Sequence, residues 1–262
     1  MTTLNIVKIG GNVIDNPDAL IKFLRTFASI PGSKILVHGG GKIATEVGNR
    51  MGIESIYNEG RRTTDQPTLD LVTMVYAGLI NKTIVAKLQS MRCNAIGLSG
   101  ADGNVIQASK RPVASIDYGY VGDIHGTGIN TKTISSLIEA GLTPVFCAIT
   151  HDGNGTLLNT NADTIANELA AAMATTTTTR LIYCFEKKGL LADIADETSV
   201  IRQITPANHA QLIETGTVSG GMIPKIENAM KAISNGVSSV AIGHADDLMQ
   251  LIDGTAGTQI TQ

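Results

Sequence analysis

The sequence predicts an α/β fold in which helices cover both faces of a mostly parallel sheet. Short β-rich apolar runs alternate along the chain with longer segments whose apolar residues recur at helical spacing. The strand runs are apolar on consecutive residues, as expected where both faces of a sheet are buried. The length of 262 residues allows one large domain or two lobes, with ample room for a core.

The first half of the chain supplies the clearest alternation. The segment Asp18–Ala28 predicts a helix because its apolar residues recur at intervals of three and four. Scattered Gly, Pro and Tyr over Val105–Val121 predict hairpins at the sheet edge. In chain order we expect the strand Leu4–Ile9, the helix Asp18–Ala28, the strand Lys34–Val37, the helix Ala44–Met51, the long helix Asp65–Val85 and the strand Ala95–Leu98.

The second half continues the same alternation. Gly141 ends one helix, and Pro144 lies in the strand that follows. The run Thr175–Thr179 is interpreted as a connector between a helix and a strand. We expect the helix Thr133–Ala140, the strand Gly141–Ile149, the helix Asn161–Met173, the strand Leu181–Phe185, the helices Pro206–Thr215 and Met222–Asn235, and the strand Ser239–Ile242.

Composition excludes several functional classes. Lysine and arginine number 20 against 23 acidic residues, so the net charge of -3 provides no basic field for nucleic acid. Cys93, Cys147 and Cys184 are far apart and odd in number, which is typical of free thiols in a cytosolic protein. Neither a signal peptide nor a membrane-spanning apolar run is predicted. We therefore expect a soluble, cytoplasmic protein that binds small molecules and neither nucleic acid nor membrane.

Glycine-rich turns follow the first two predicted strands. Gly10-Gly11 ends the first strand, and Gly39-Gly40-Gly41 follows the second. Ligands collect at the carboxyl ends of parallel strands, and glycines let backbone N–H groups approach an anion closely. One such pair would indicate only a tight turn. Two in succession predict a phosphate-binding edge.

These turns are not a Walker A loop, because Gly41 is followed by Lys-Ile rather than by Lys-Ser or Lys-Thr. Gly39, Gly41 and Ala44 fit the loose G-x-G-x-x-A form of a dinucleotide fingerprint. The acidic residue that should complete it would be Asp65, which opens a helix instead of ending a strand, so this alternative is the weaker one. His38 is interpreted as a structural turn residue outside the chemistry.

Lys8 lies between Val7 and Ile9 in the first predicted strand. A lysine there is costly unless it faces a polar cleft, or unless it snorkels from an edge strand. Because the Gly10-Gly11 turn follows at once, we favour a contact between Lys8 and phosphate.

Eight stretches in order resemble the amino acid kinase family from Lys8 to about Gly243: VKIGGN, LVHGGGK, GRRTT, GLSGADG, GYVGDI, LTPVF, LLNTNADT and SGGMIPKIENA. The more specific of these are N-x-N-A-D and G-G-M-x-x-K. The resemblance implies an open αβα sandwich. It also implies an acyl amino acid-binding and dimerisation lobe over 1–178 and a nucleotide-binding lobe over 179–262.

The branch of the family that the chain resembles most transfers the γ-phosphoryl group of Mg-ATP to the side-chain carboxylate of N-acetyl-L-glutamate, in arginine biosynthesis. ATP and Mg²⁺ are therefore the implied cofactors. The alternatives are N-succinyl-L-glutamate as the substrate, another family acceptor (aspartate, glutamate, carbamate or UMP), and a non-catalytic amino acid sensor. The seven residues before Lys8 leave no room for the longer arm of arginine-inhibited members, so a homodimer is expected.

By the same resemblance, Lys8 and Lys225 would oppose the charge on the transferring phosphoryl group, and Asp163 would hold both lysines in place. The alternative for Asp163 is a helix N-cap. The attacking carboxylate is already ionised at neutral pH, so no general base is required.

The substrate would be held by the backbone N–H groups of Gly11, Gly40 and Gly41. Arg62 would clamp its α-carboxylate, and Asn159 would bond the same end of the molecule.

The implied nucleotide-binding residues are Gly10, Glu186, Gly189, Thr217, Val218 and Ser219. Here the chain departs from the family, because CFEKKG replaces the usual turn that contains an aspartate. Arg61 is a second departure: it either faces solvent or meets the extra carboxylate of a succinyl group.

Overall fold

The computed structural model describes residues 3–58, 60–193, 195–214 and 223–262. It is an α/β protein with mostly parallel sheet pairing and flanking helices, which confirms the predicted fold class. The strands are β1 (Leu4–Ile9), β2 (Lys34–His38), β3 (Tyr57–Asn58), β4 (Arg61–Arg62), β5 (Ala95–Leu98), β6 (Ser109–Lys110), β7 (Gly122–Asp123), β8 (Thr143–Phe146), β9 (Ile149–His151), β10 (Leu157–Asn159), β11 (Thr179–Phe185), β12 (Gln203–Ile204), β13 (Ser239–His244) and β14 (Thr258–Ile260).

The helices fill most of the predicted positions. They are α1 (Gly11–Asp15), α2 (Pro17–Ser29), α3 (Gly41–Met51), α4 (Gln66–Val72), α5 (Asn81–Ser90), α6 (Thr131–Glu139), α7 (Ala162–Ala174), α8 (Pro206–Glu214), α9 (Ile223–Ser234) and α10 (Leu248–Ile252). A π-helical segment, Thr73–Ile80, joins α4 to α5, so the predicted long helix is continuous but not uniformly α-helical.

The chain divides into two compact units, one made of 1–35 with 166–262 and the other of 36–165. In the first unit the strand order is β12, β14, β13, β11, β1, and only the β13–β14 pair is antiparallel. In the second unit β2, β8 and β5 run parallel in that order. The division does not follow the predicted lobe boundary at residue 178, and the ligand assigned to each lobe stays a prediction.

The helix α2 shows how local sequence fixes an element of the first unit. The Asn16 side chain caps its start by accepting hydrogen bonds from two backbone N–H groups. At its other end, Lys34 Nζ donates to Ala28 O at 2.8 Å and to Ile30 O at 2.6 Å. Lys34 therefore satisfies carbonyl groups at the end of the helix, which explains a buried lysine at the start of β2.

One stretch among the described residues, Gln66–Ser90, is long and apolar enough to qualify as a membrane span by length and composition alone. Within its most apolar window, 44% of the residues are buried in the protein. Leu71, Val72 and Ile84 are fully buried there. A core helix of a soluble protein has the same composition, and we interpret this stretch as such.

Candidate active site

Arg62 is placed by a short hairpin in the second unit. The strands β3 and β4 pair antiparallel, with Tyr57 opposite Arg62. Only 7% of Arg62 is exposed, so a sequence position that resembles a surface loop holds a buried guanidinium. The Tyr57 ring lies 4.8 Å from Arg62 Cζ and covers one face of that group.

The guanidinium of Arg62 is held by neutral oxygen atoms. Its Nη2 donates to Gly41 O at 2.8 Å, to Thr45 Oγ1 at 2.9 Å and to the Tyr57 hydroxyl at 2.5 Å. Its Nη1 donates to the Ser55 hydroxyl. Three of these four acceptors are hydroxyl groups, which can turn to become donors when an anion arrives.

Within the described part of the chain, the ion pairs do not include Arg62. A buried cation without a carboxylate partner is costly, because neutral acceptors replace only part of its hydration. A ligand carboxylate would supply the missing charge, and the planar guanidinium suits bidentate binding. This arrangement supports the predicted clamp.

Two nearby arginines differ from Arg62. Arg111 pairs with Asp123 through bonds of 3.0 Å from Nε and 2.5 Å from Nη2. This pairing lowers the pKa of the Asp123 carboxyl, and the charge of Arg61 lowers it further. Arg61 itself is exposed. Its charge therefore already acts on a carboxylate of the protein.

Gly40 and Gly41, in the second glycine-rich turn, differ in whether their surroundings admit a side chain. Gly40 has φ 148°, a backbone conformation that strains any residue with a side chain, and a Cβ there would also lie 2.2 Å from Ile80 Cδ1. A Cβ on Gly41 would meet only polar side-chain ends, with Arg62 Nη2 at 4.0 Å. Gly41 begins α3, whose start has no side-chain cap. The free backbone N–H groups there favour an anion.

Gly10 and Gly11 lie in the first unit, at the end of β1. A Cβ on Gly10 would lie 3.7 Å from Cys184 O, and one on Gly11 3.5 Å from Asp15 Oδ2, which are ordinary contacts. Neither glycine has a positive φ. Nothing in the described chain therefore requires glycine at these two positions, which supports the close approach of a ligand.

Asn159 ends β10 and is tied to the strand that carries Arg62. Its Nδ2 donates to Thr64 Oγ1 at 3.0 Å, and Thr64 Oγ1 donates to Arg62 O at 3.3 Å. Thr64 is fully buried. The structure thus links Asn159 to the backbone of Arg62, and the binding of one substrate by both side chains stays a prediction.

Asp163 is the second residue of α7 and is half-buried. The N-cap is Asn161 instead, whose Oδ1 accepts from Asp163 N at 2.8 Å and from Thr164 N at 3.1 Å. The alternative interpretation of Asp163 as the cap is therefore wrong. A carboxylate in the first turn is favourable beside the helix N-terminus.

Lys8 lies in β1 between two fully buried residues, and its side chain is itself half-buried. Its Cα is paired with that of Tyr183 in β11. Burial raises the pKa of the neighbouring Cys184 thiol, and the positive charge of Lys8 opposes that shift. The ammonium group of Lys8 is thus close enough to Cys184 in β11 to act on its thiol, and a contact between Lys8 and phosphate stays a prediction.

The structure describes only some of the residues that are predicted to bind the nucleotide. Glu186 is exposed and lines a cavity of about 110 Å³ with Asn12 and His244. That volume is small beside the roughly 300–1,000 Å³ of typical ligand sites. Gly189 has φ 157°, and a Cβ there would lie 2.9 Å from Thr258 Oγ1, so packing requires this glycine. Thr217, Val218 and Ser219 lie outside the described residues, and so does the side chain of Lys225, whose backbone belongs to α9.

The His38 side chain is hydrogen-bonded to the second glycine-rich turn, Gly39-Gly40-Gly41. Its Nδ1 is 2.9 Å from Gly39 O, and its Nε2 is 3.0 Å from Asn81 Nδ2. Asn81 Nδ2 also donates to Val145 O at 2.9 Å. These partners fix the tautomer, because a proton on Nδ1 can reach the carbonyl while Nε2 accepts from the amide. The interpretation of His38 as a structural residue agrees with this position.

Stability is expected to fall as the pH falls from about 6.5 to about 4, because burial lowers the pKa of His38 from 6.5 to about 4. Between those pH values His38 binds a proton in the unfolded chain but stays neutral in the folded protein. The contribution of His38 is present above pH 6.5 and is lost towards pH 4, by about 3 kcal/mol in total. Unfolding free energies at pH 7 and pH 4.5 should differ less in His38→Gln than in the native protein. Equal differences would contradict this assignment.

The sequence did not single out the hydroxyl groups around Arg62. These hydroxyl groups come from three different elements: Ser55 from a loop, Tyr57 from a two-residue strand and Thr45 from a helix. No single sequence motif therefore contains them. The one local signal was the spacing of Thr45, which lies one helical turn after Gly41 and donates to its carbonyl at 2.9 Å.

The chain is similar to proteins of known family. The model of the amino acid kinase family matches residues 3–244. A protein of Cytophaga hutchinsonii named acetylglutamate kinase is 54% identical over 99% of both chains. One of Bacteroides thetaiotaomicron with the same name is 48% identical over 98% of both. Among solved structures, smu.665 from Streptococcus mutans is 29% identical over 98% of both chains, with a TM-score of 0.75.

Proposed function

Because this chain belongs to the amino acid kinase family, we propose that it is an acetylglutamate kinase, which transfers the γ-phosphoryl group of ATP to the side-chain carboxylate of N-acetyl-L-glutamate. Relatives of that name match nearly its whole length. The observation that carries the proposal is the buried Arg62, whose hydrogen bonds within the described part of the chain go to neutral groups. It suits the α-carboxylate of an acylated amino acid.

The proposed roles follow from the charge that the reaction must bring together. Phosphoryl transfer depends mainly on positioning and on stabilising charge over the equatorial oxygens. Lys8 and Lys225 oppose that charge, and Asp163 keeps them charged. The acceptor carboxylate is ionised at neutral pH and attacks without a general base.

The substrate is oriented by its other carboxylate. Arg62 and Asn159 hold the α-carboxylate, and the N–H groups of Gly11, Gly40 and Gly41 face the reacting groups. Among the described residues nothing requires glycine at Gly10 or Gly11, and this supports the proposal, since phosphate oxygens require room next to the backbone.

ATP would be held by Gly10, Glu186, Gly189, Thr217, Val218 and Ser219. Mg²⁺ would neutralise part of the charge on the ATP phosphates. Among the described residues, no group of three or more His, Cys, Asp or Glu side chains could hold a metal ion.

We further propose a cytoplasmic homodimer that acts in arginine biosynthesis and binds neither nucleic acid nor membrane. Met74 and Leu79, on the π-helical segment, are each more than half exposed. An apolar helix surface of this kind suits a contact between two copies. Sedimentation of the purified protein tests the dimer.

The function is tested by measuring ADP release with Mg-ATP and, separately, N-acetyl-L-glutamate, N-succinyl-L-glutamate, glutamate, aspartate, carbamate and UMP. Hydroxylamine traps the acyl phosphate as a hydroxamate. We expect turnover with N-acetyl-L-glutamate far above that with free glutamate or the other family acceptors. Binding of an amino acid without ADP release from any acceptor would favour the sensor alternative.

N-Succinyl-L-glutamate is the second candidate substrate, favoured by the exposed Arg61 next to the clamp. Arg61→Ala decides its role in the same assay. A selective loss of succinyl turnover would assign Arg61 to the acyl group. If the native protein and Arg61→Ala prefer the acetyl compound equally, Arg61 does not bind the acyl group. Its charge then acts only on Asp123.

A further inference from the structure

Tyr76 is directed at the second glycine loop by the π-helical segment. A Cβ on Gly40 would lie 3.2 Å from Tyr76 Cδ1 and 3.3 Å from Cε1, so the ring packs against that glycine. Only 5% of Tyr76 is exposed. The Ile80 side chain, one turn later, also packs against Gly40. Segments of π-helix recur at functional sites.

The hydroxyl of Tyr76 faces the same point as two other polar groups. A Cβ on Gly41 would lie 3.9 Å from Tyr76 OH, 4.0 Å from Arg62 Nη2 and 4.0 Å from Tyr57 OH. Three groups able to donate hydrogen bonds therefore surround the open side of Gly41, where α3 begins. Two of the three are neutral, so the net charge of the group is that of Arg62 alone.

We propose that Tyr76 is a substrate-binding residue whose hydroxyl, with Arg62 and Tyr57, binds the α-carboxylate of the acylated glutamate next to Gly41. This inference rests on the proposed function. It adds to the family resemblance, which points to Arg62 and Asn159 and says nothing of either tyrosine.

The electrostatics suit that role. Burial raises the pKa of Tyr76, and the charge of Arg62 only partly opposes the shift, so the hydroxyl keeps its proton at neutral pH. A protonated phenol donates to a carboxylate, and such charge-assisted bonds are stronger than neutral ones. Because the ring is already fixed against Gly40, little side-chain entropy is lost when the ligand binds.

Tyr76→Phe tests the inference, because it removes the hydroxyl and keeps the ring against Gly40. We expect the KM for N-acetyl-L-glutamate to rise about tenfold, with kcat and the KM for ATP within about twofold. The same kinetics are measured with N-acetyl-L-isoglutamine, in which an amide replaces the α-carboxylate. The preference for the carboxylate over the amide should fall in Tyr76→Phe.

Tyr118→Phe is the matched control. Its ring lies 5.2 Å from Arg111, whose charge is already paired with Asp123. We expect this variant to keep the native KM values within about twofold. Tyr118→Phe shows what is lost when any tyrosine hydroxyl near an arginine is removed. A larger effect in Tyr76→Phe is then specific to the site of Arg62.

An unchanged KM for N-acetyl-L-glutamate in Tyr76→Phe would overturn the inference. So would equal losses with the amide compound and with ATP, since these indicate a structural role. If the native protein does not turn over N-acetyl-L-glutamate, the proposed function fails separately. Calorimetric binding of N-acetyl-L-glutamate then decides: a tenfold difference between native protein and Tyr76→Phe supports the inference, and equal or absent binding overturns it.

Discussion

Arg62→Met is expected to raise the KM for N-acetyl-L-glutamate at least about a hundredfold, and to leave the KM for ATP within about twofold. The substitution removes the buried charge that the proposed α-carboxylate meets. The four oxygen atoms that now accept from Arg62 cannot replace a cation. Initial-rate kinetics with each substrate varied in turn measure the effect.

The control for this substitution is Arg111→Met. Arg111 is also partly buried, but its charge is already satisfied by Asp123 at 2.5 Å. We expect a small loss of stability and KM values close to native. If Arg62→Met bound N-acetyl-L-glutamate as well as Arg111→Met does, the carboxylate clamp would be wrong.

Lys8→Met is expected to lower kcat about a thousandfold while changing the KM for N-acetyl-L-glutamate only a few-fold. A cation beside the transferring phosphoryl group acts on charge that is spread out in the transition state, so its removal affects the chemical step. Single-turnover measurements with ATP separate that step from product release.

Lys34→Met provides the comparison, because Lys34 is also a lysine in an apolar strand, β2. Its bonds to Ala28 O and Ile30 O give it a structural role. We expect this variant to have a lower midpoint of thermal unfolding and a kcat within about twofold of native. Equal kcat values in the two lysine variants would remove Lys8 from the chemistry.

Much of the fold followed from local pattern. The bounds of β1 and β5 are as predicted, because apolar runs beside glycines and polar residues mark buried parallel strands clearly. The predicted strand Gly141–Ile149 is in fact two strands, β8 and β9, since periodicity does not show where a strand leaves the sheet.

Other elements depended on tertiary contacts. The short helix α1 begins directly after Gly10, where a turn alone was expected. The strand β14 pairs antiparallel with β13, and its three residues, Thr-Gln-Ile, are too few to show a strand period. Such pieces become ordered because the sheet edge provides their partners, and the sequence does not carry that information locally.

The candidate site was predictable where a residue type matches a task. Arg62 and Asn159 were expected at one end of the substrate, and the structure links them through Thr64. Tyr57 and Tyr76 were not expected, because a two-residue strand and a π-helical turn bring them to Gly41. Neither element has a sequence period that reveals which way a side chain points.

The most direct test of the account is a crystal structure with bound N-acetyl-L-glutamate and a non-hydrolysable ATP analogue. We expect the α-carboxylate within about 3 Å of Arg62 and Asn159, with at least one hydroxyl of Ser55, Thr45 or Tyr57 turned away from the guanidinium. A ligand whose α-carboxylate lies elsewhere, with Arg62 keeping all four of its present bonds, would contradict it.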